Sequence, residues 1–224
     1  MAIILISGGT GLVGKALSNH LLSKGHEIRI LSRSPKSTDR IKSFYWDVEK
    51  NEIDEKAFDS VEHIVHLAGS GIADKRWTNG RKQEIIDSRV DSIKLITSIV
   101  KKKNIQLKSF VGASAIGIYG MITSDKIYSE TDKGQDDFLS QSCIQWENAY
   151  QEIQTLSNKN CIIRIGVVLS KDGGALKRLL PLFQLGLGSA VGSGKQYMPW
   201  IHIGDLVSVF HEALFNYSGI YNAV

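Results

Sequence analysis

Ile3-Ile4-Leu5-Ile6-Ser7-Gly8-Gly9-Thr10-Gly11-Leu12-Val13-Gly14 is the stretch that decides the fold. Four continuous apolar residues, with no polar alternation, describe a strand covered on both faces. The glycines at 9, 11 and 14 follow at once and satisfy the spacing G-x-G-x-x-G. Leu12, Val13, Ala16, Leu17, Leu21 and Leu22 then recur at helical intervals until Lys24 and Gly25 mark a stop. Strand, glycine turn and helix in that order are the context in which the fingerprint carries meaning. Glycine is needed because the turn is tight, the backbone must approach a diphosphate, and the helix must pack close to the strand. The free N–H groups and positive dipole end of the helix complete a site for an anion. The residues expected to cradle it are Gly8, Gly9, Thr10, Gly11, Leu12, Val13 and Gly14. A turn of the same form in a nucleotide-free or S-adenosylmethionine-binding α/β protein is the competing reading.

Outward from this unit, apolar runs at Ile28–Leu31, Phe44–Trp46, Ile64–Leu67, Phe110–Ala113, Ile162–Ile165 and Trp200–Ile203 predict further strands. Helical patterns are expected from about Arg81 to Lys102, Phe138 to Leu156, Gly174 to Leu185 and Asp205 to Phe215. The run from Gly186 to Gly194 reads as a loop, and Gly219–Val224 as a closing strand. This alternation is α/β: a Rossmann-type, doubly wound, mostly parallel sheet with helices on both faces.

Composition narrows the partners. The 224 residues carry a net charge of +4 with both signs interspersed, which points away from nucleic acid and membrane surfaces. Lys101-Lys102-Lys103 reads as the solvated end of a helix rather than an anion site. Cys143 and Cys161 have no metal-site or disulfide spacing, so no metal is expected and a reducing cytoplasm fits. The opening residues run directly into the glycine turn without a basic leader, and are expected to be a strand and not a signal peptide.

The end of the second expected strand refines the ligand. An NAD site would place an acidic residue there, but the sequence has Ser32 and Arg33. A guanidinium at that point can grip the 2'-phosphate of NADP, so NADP(H) is the expected cofactor, with a solvated loop arginine as the alternative. Asp47 follows the third strand and can reach an adenine or cap its own loop. His66-Leu67-Ala68-Gly69 offers small residues beside a cofactor, with His66 read as a satisfied strand-end histidine and not a base.

With the glycine turn, His66–Gly69, Gly112-Ala113-Ser114-Ala115-Ile116-Gly117-Ile118-Tyr119-Gly120 and Arg164–Leu169 resemble the extended short-chain dehydrogenases/reductases. Arg76-Trp77, Glu84–Arg89, Asp136–Leu139, Trp146-Glu147, Leu185–Gly188 and Pro199–Leu206 are similar to the atypical epimerase-like branch, often labelled nucleoside-diphosphate-sugar epimerases. The resemblance implies NADP(H) held by the glycine turn, Ser32, Arg33, Leu67, Ala68, Glu84, Arg89 and Val168. It further implies a possible homodimer through the helices from about Arg81 and Phe138. Members usually continue into a smaller C-terminal substrate region, so residues 1–224 are expected to form one Rossmann-type domain without most of it.

The resemblance breaks at the proton-transfer residues. Such reductases generally use a serine, a tyrosine and a lysine four residues after the tyrosine. Aligned on Trp146-Glu147, those last two slots fall near Leu139 and Cys143. Ser114 and Tyr119 are the remaining catalytic candidates, each with a plainer reading as a backbone-satisfied hydroxyl or a packed aromatic. Two functions are therefore expected to compete. One is an NADP(H)-dependent oxidoreductase or epimerase-like enzyme on a small, possibly sugar-derived, carbonyl or alcohol. The other is a non-catalytic NADP(H)-binding or redox-sensing protein; a methyltransferase would leave Arg33 without a role.

Overall fold

The computed structural model describes residues 1–190 and 192–224. Val191, inside the loop expected over Gly186–Gly194, lies outside the described residues.

The chain runs β1 (Ile3–Ser7), α1 (Leu12–Ser23), β2 (Glu27–Ser32), β3 (Ile41–Asp47), β4 (Glu52–Ile53), β5 (His63–His66) and α2 (Asn79–Lys102). It continues with β6 (Leu107–Ala115), α3 (Phe138–Ala149), α4 (Gln151–Gln154), β7 (Ser157–Ile165), β8 (Val167–Ser170), α5 (Gly174–Gln184), β9 (Trp200–His202), α6 (Ile203–Phe215) and β10 (Gly219–Ala223). Eight strands form one sheet in the order β10-β7-β6-β5-β1-β2-β3-β4. All neighbours in it are parallel except β3 and β4. The doubly wound α/β reading is thereby borne out.

The order of strands positions the site. From β1 the chain moves outward through β2 and β3, then returns to place β5 on the other side of β1. The crevice at that reversal, above the carboxyl ends of the strands, is where such sheets bind ligands. Pairing of Ser7 with both Leu31 and His66 aligns the ends of β1, β2 and β5 along its rim.

Local chemistry explains the element ends. Gly25 adopts φ +84°, and the N–H groups of Gly25 and His26 close α1 on the carbonyls of Leu22 and Leu21. Thr78 caps α2 through the Arg81 N–H, so this helix begins two residues before Arg81. Lys101 pairs with Glu152, Lys102 with Glu55 and Lys103 with Asp59, which makes the lysine cluster a solvated helix end. The core is the apolar face of β1, β2, β5, β6 and β7 with Leu17, Leu21, Ile93, Ile96, Val100, Leu206 and Phe210. Each fully buried Leu, Ile or Phe contributes roughly 1.5–3 kcal/mol.

Three elements differ from expectation. The helix expected over Phe138–Leu156 is two, α3 and α4, with Tyr150 between them. The hairpin strand β4 is only two residues long and gives no periodic signal. Val167–Ser170 forms β8, which pairs with β9 in a separate two-stranded sheet. The chain leaves the main sheet at Gly166, where a Cβ would lie 2.9 Å from the Pro199 carbonyl oxygen.

Candidate functional site

The crevice floor is built from glycines at 8, 9 and 14 whose replacement would displace a neighbour, backbone at Gly8 and Gly14 and the Ile30 side chain at Gly9. A Cβ on Gly14 would lie 2.3 Å from the Gly8 oxygen and 2.6 Å from the Gly9 Cα. One on Gly8, whose φ is +71°, would meet the Leu67 carbonyl carbon at 2.8 Å, and one on Gly9 would meet Ile30 Cγ2 at 2.4 Å. The turn therefore seats α1 against β1, β2 and β5 at the switch point. Its N-terminus has no side-chain cap and no acidic residue in the first turn. The N–H groups of Leu12, Val13 and Gly14 thus have no helical acceptor and open toward the crevice. Thr10 and Gly11 are exposed at its mouth, and Leu12 packs its side chain against Gly173 and Gly174 at the start of α5. These features fit a diphosphate.

On the β2 side, Ser32 Oγ accepts from the Ser34 N–H at 3.2 Å, and Arg33 is exposed. Among the described residues Arg33 has no ion pair, so its guanidinium is free to meet a phosphate. Asp47 Oδ1 accepts from the N–H groups of Glu49 and Lys50 at 3.1 and 3.4 Å. Of the two roles expected for Asp47, the structure shows the loop cap.

On the β5 side, His66 is fully buried between Ser7 Oγ at 2.7 Å and Ser92 Oγ at 3.1 Å. Ser92 gives its proton to the Arg89 carbonyl, so it accepts from Nε2, and Ser7 donates to Nδ1. Burial, with the nearby Arg89 charge, pushes His66 down to about 3 and keeps it neutral. The strand-end reading of His66 holds. Leu67 and Ala68 are half-buried and Gly69 is exposed above it. Glu84 is bound by Arg81 and accepts from Ser70 Oγ at 3.4 Å. Arg89 is buried, with its guanidinium 4.8 Å from the Trp146 ring and pressed against Gly69. Val168 lies half-buried on β8, opposite Ile201.

The two catalytic candidates belong to one buried network. Ser114 Oγ donates to Glu147 Oε1 at 2.6 Å, and Arg164 holds the same carboxylate in a two-pronged pair, Nε to Oε1 and Nη2 to Oε2, both at 2.9 Å. Arg164 Nη1 also donates to the Tyr119 hydroxyl at 2.9 Å, and Tyr119 donates to Asn222 Oδ1 at 2.8 Å. Glu130 Oε1 accepts from the Asn222 N–H at 2.7 Å. Glu147 and Arg164 stand among the quoted motifs without an assigned role, because an ion pair across 17 residues leaves no spacing signature.

Residues 4–223 match the NAD dependent epimerase/dehydratase family. The chain belongs to that family. An epimerase family protein of Mycobacterium tuberculosis is 37% identical over 214 residues, which cover 95% of this chain and 69% of that protein. Human epimerase family protein SDR39U1 is 34% identical over 213 residues, covering 94% of this chain and 70% of its own. The crystal structure of human SDR39U1, isoform 2, with NADPH superposes with a TM-score of 0.86 at 31% identity, over 99% of this chain and 74% of that one. A nucleoside-diphosphate sugar epimerase from Corynebacterium glutamicum gives 0.84 at 32% identity, over 100% of this chain and 46% of its own.

For a member of the epimerase/dehydratase family the wall facing Gly117 is apolar. Leu139 Cβ and Cys143 Sγ lie 3.6 and 3.8 Å from the position a Gly117 Cβ would take. Burial, with Glu147 nearby, pushes the Cys143 thiol up to about 11, so it carries no thiolate at neutral pH. Leu139 has no proton to give, and Cys143 stands there as a protonated thiol.

Proposed function

We propose that this epimerase/dehydratase family member binds NADP(H) at the switch point and is an oxidoreductase or epimerase-like enzyme acting on a small carbonyl or alcohol, sugar-derived ones included. The observation that carries it is the glycine cradle with the exposed guanidinium of Arg33, which has no ion pair among the described residues, one strand over. The NADPH named in the human SDR39U1 crystal structure supports the same reading. Gly8, Gly9, Thr10, Gly11, Leu12, Val13 and Gly14 hold the diphosphate, Ser32 and Arg33 the 2'-phosphate, and Leu67, Ala68, Gly69, Glu84, Arg89 and Val168 the remainder. Asp47 borders the adenine end while capping its turn.

When bound, the nicotinamide supplies the hydride chemistry. Around it the chain contributes hydrogen-bonding groups and an apolar wall. Ser114 has its proton on Glu147, so it offers lone pairs to a substrate hydroxyl and becomes a donor only if that bond opens. Tyr119 is the other candidate acid, and releasing its proton means giving up Asn222. Turnover of NADPH with a panel of small aldehydes, ketones and nucleotide sugars tests the assignment. Activity lowered by Ser114→Ala with cofactor affinity unchanged supports it.

A second reading is favoured by Leu139 and Cys143 and by the engaged hydroxyls of Ser114 and Tyr119. It makes the chain a non-catalytic NADP(H)-binding or redox-sensing protein, with the nicotinamide and not a thiol as the sensing group. Cofactor binding without turnover on any of the panel selects it. The family relationship also supports a homodimer built on α2 and α3, and the two unpaired buried thiols suit a reducing cytoplasm. Among the described residues no helix is long and apolar enough to cross a membrane.

A further inference from the structure

Arg89 is a cation that the chain itself leaves uncompensated. It is 7% exposed, and its guanidinium lies 4.8 Å from the Trp146 ring centre. Its one side-chain hydrogen bond among the described residues runs from Nη1 to the Ile85 carbonyl at 2.9 Å. The titratable groups close to it are the neutral Cys143, Tyr150 and His66 and the like-charged Arg81. Among the described residues no carboxylate pairs with it, and Glu147 and Glu84 are bound to Arg164 and Arg81. A buried charge without a counter-ion is costly, and such groups persist where they act.

The place of Arg89 in the fold shows what it faces. Its Cζ lies 3.0 Å from where a Gly69 Cβ would be, so the guanidinium stands directly against the rim beyond β5. In a doubly wound sheet a dinucleotide crosses the switch point, with the adenosine half over the strand after the glycine helix. Arg33 marks that half on β2. The redox half therefore falls on the β5 and β6 side, beside Gly69, Ser114 and Gly117. The oxidised nicotinamide ring carries a positive charge and the reduced ring none.

We infer that Arg89 sets the redox preference of this site, favouring reduced NADPH over NADP⁺ by repelling the cationic ring. The inference rests on the proposed NADP(H) site. Trp146 and Gly69 hold the guanidinium in place, and among the described residues no neighbouring free carboxylate screens its field. Like charges in a partly desolvated cleft correspond to roughly a tenfold difference in affinity.

Calorimetric titration of NADPH and NADP⁺ into the intact protein, Arg89→Gln and Arg89→Lys tests it. The intact protein and Arg89→Lys should bind NADPH roughly tenfold more tightly than NADP⁺, and Arg89→Gln should bring the two affinities together. Equal affinities in the intact protein overturn the inference, and this result needs no variant to fold. A parallel loss of both affinities in Arg89→Gln, with their ratio kept, also overturns it, because that is the signature of a phosphate contact. Failure to bind either form would instead remove the NADP(H) reading beneath it.

Discussion

A single methyl group is enough to test the cradle. At Gly14 the intruding Cβ would meet backbone on Gly8 and Gly9, which cannot rotate aside as a side chain can. Gly14→Ala is expected to cost about 1–3 kcal/mol of stability and to abolish nucleotide uptake. Urea unfolding and calorimetry check this; an unchanged midpoint with unchanged binding would contradict it. Gly25→Ala, at the end of α1 with open space around its Cβ, has a different effect. Its φ of +84° makes alanine strained, so stability falls by about 1 kcal/mol while nucleotide affinity is kept. The same pair of measurements separates the two glycines, and equal binding losses would contradict the distinction.

At the level of elements, the Glu147–Arg164 pair ties α3 to β7, while Ser114, Tyr119 and Asn222 bring in β6, the turn after it and β10. Both side chains are largely buried, so removing one leaves the other's charge without a partner. Glu147→Ala is expected to lose about 3–5 kcal/mol in urea unfolding. A loss under about 1 kcal/mol, the range of exposed pairs, would contradict the network's role. The same elements show what the sequence made legible. β1 is read directly because a strand covered on both faces is a continuous apolar run. β2 and β5 are short apolar segments that Arg29 interrupts in one and His63 and His66 bound in the other. β8 is not read directly, since Val167-Val168-Leu169 continues the apolar run of β7 and only Gly166 records the change of sheet. In the site, the glycine spacing and Arg33 carry their meaning in the chain itself. Glu147 and Arg164 do not, because their partners come from five elements that only the fold assembles. Asp47 shows the remaining ambiguity: an aspartate after a strand can cap a turn or touch a ligand, and the structure shows the cap.

For the molecule as a whole, buried histidines set the response to acid. Burial holds His63 at about 4 and His66 at about 3, against about 6.5 in the unfolded chain. Below pH 6.5 the unfolded chain therefore takes up protons that the folded one refuses. Stability falls as pH drops, through the interval ending near 4 for His63 and near 3 for His66, by up to roughly 1.4 kcal/mol per histidine per pH unit. Urea midpoints should decline from pH 7 to pH 5, and equal midpoints would contradict this. The proposed dimer is checked by light scattering, where twice the chain mass is expected and the mass of one chain would count against it. The central claim, a switch-point cradle joined to a guanidinium that selects the 2'-phosphate, is tested most directly by calorimetric titration of NADPH and NADH into the intact protein and Arg33→Ala. The account predicts NADPH tighter by about tenfold to a hundredfold in the intact protein and a preference lost in the variant. Equal affinities in the intact protein, or no uptake of either nucleotide by a folded sample, would contradict it.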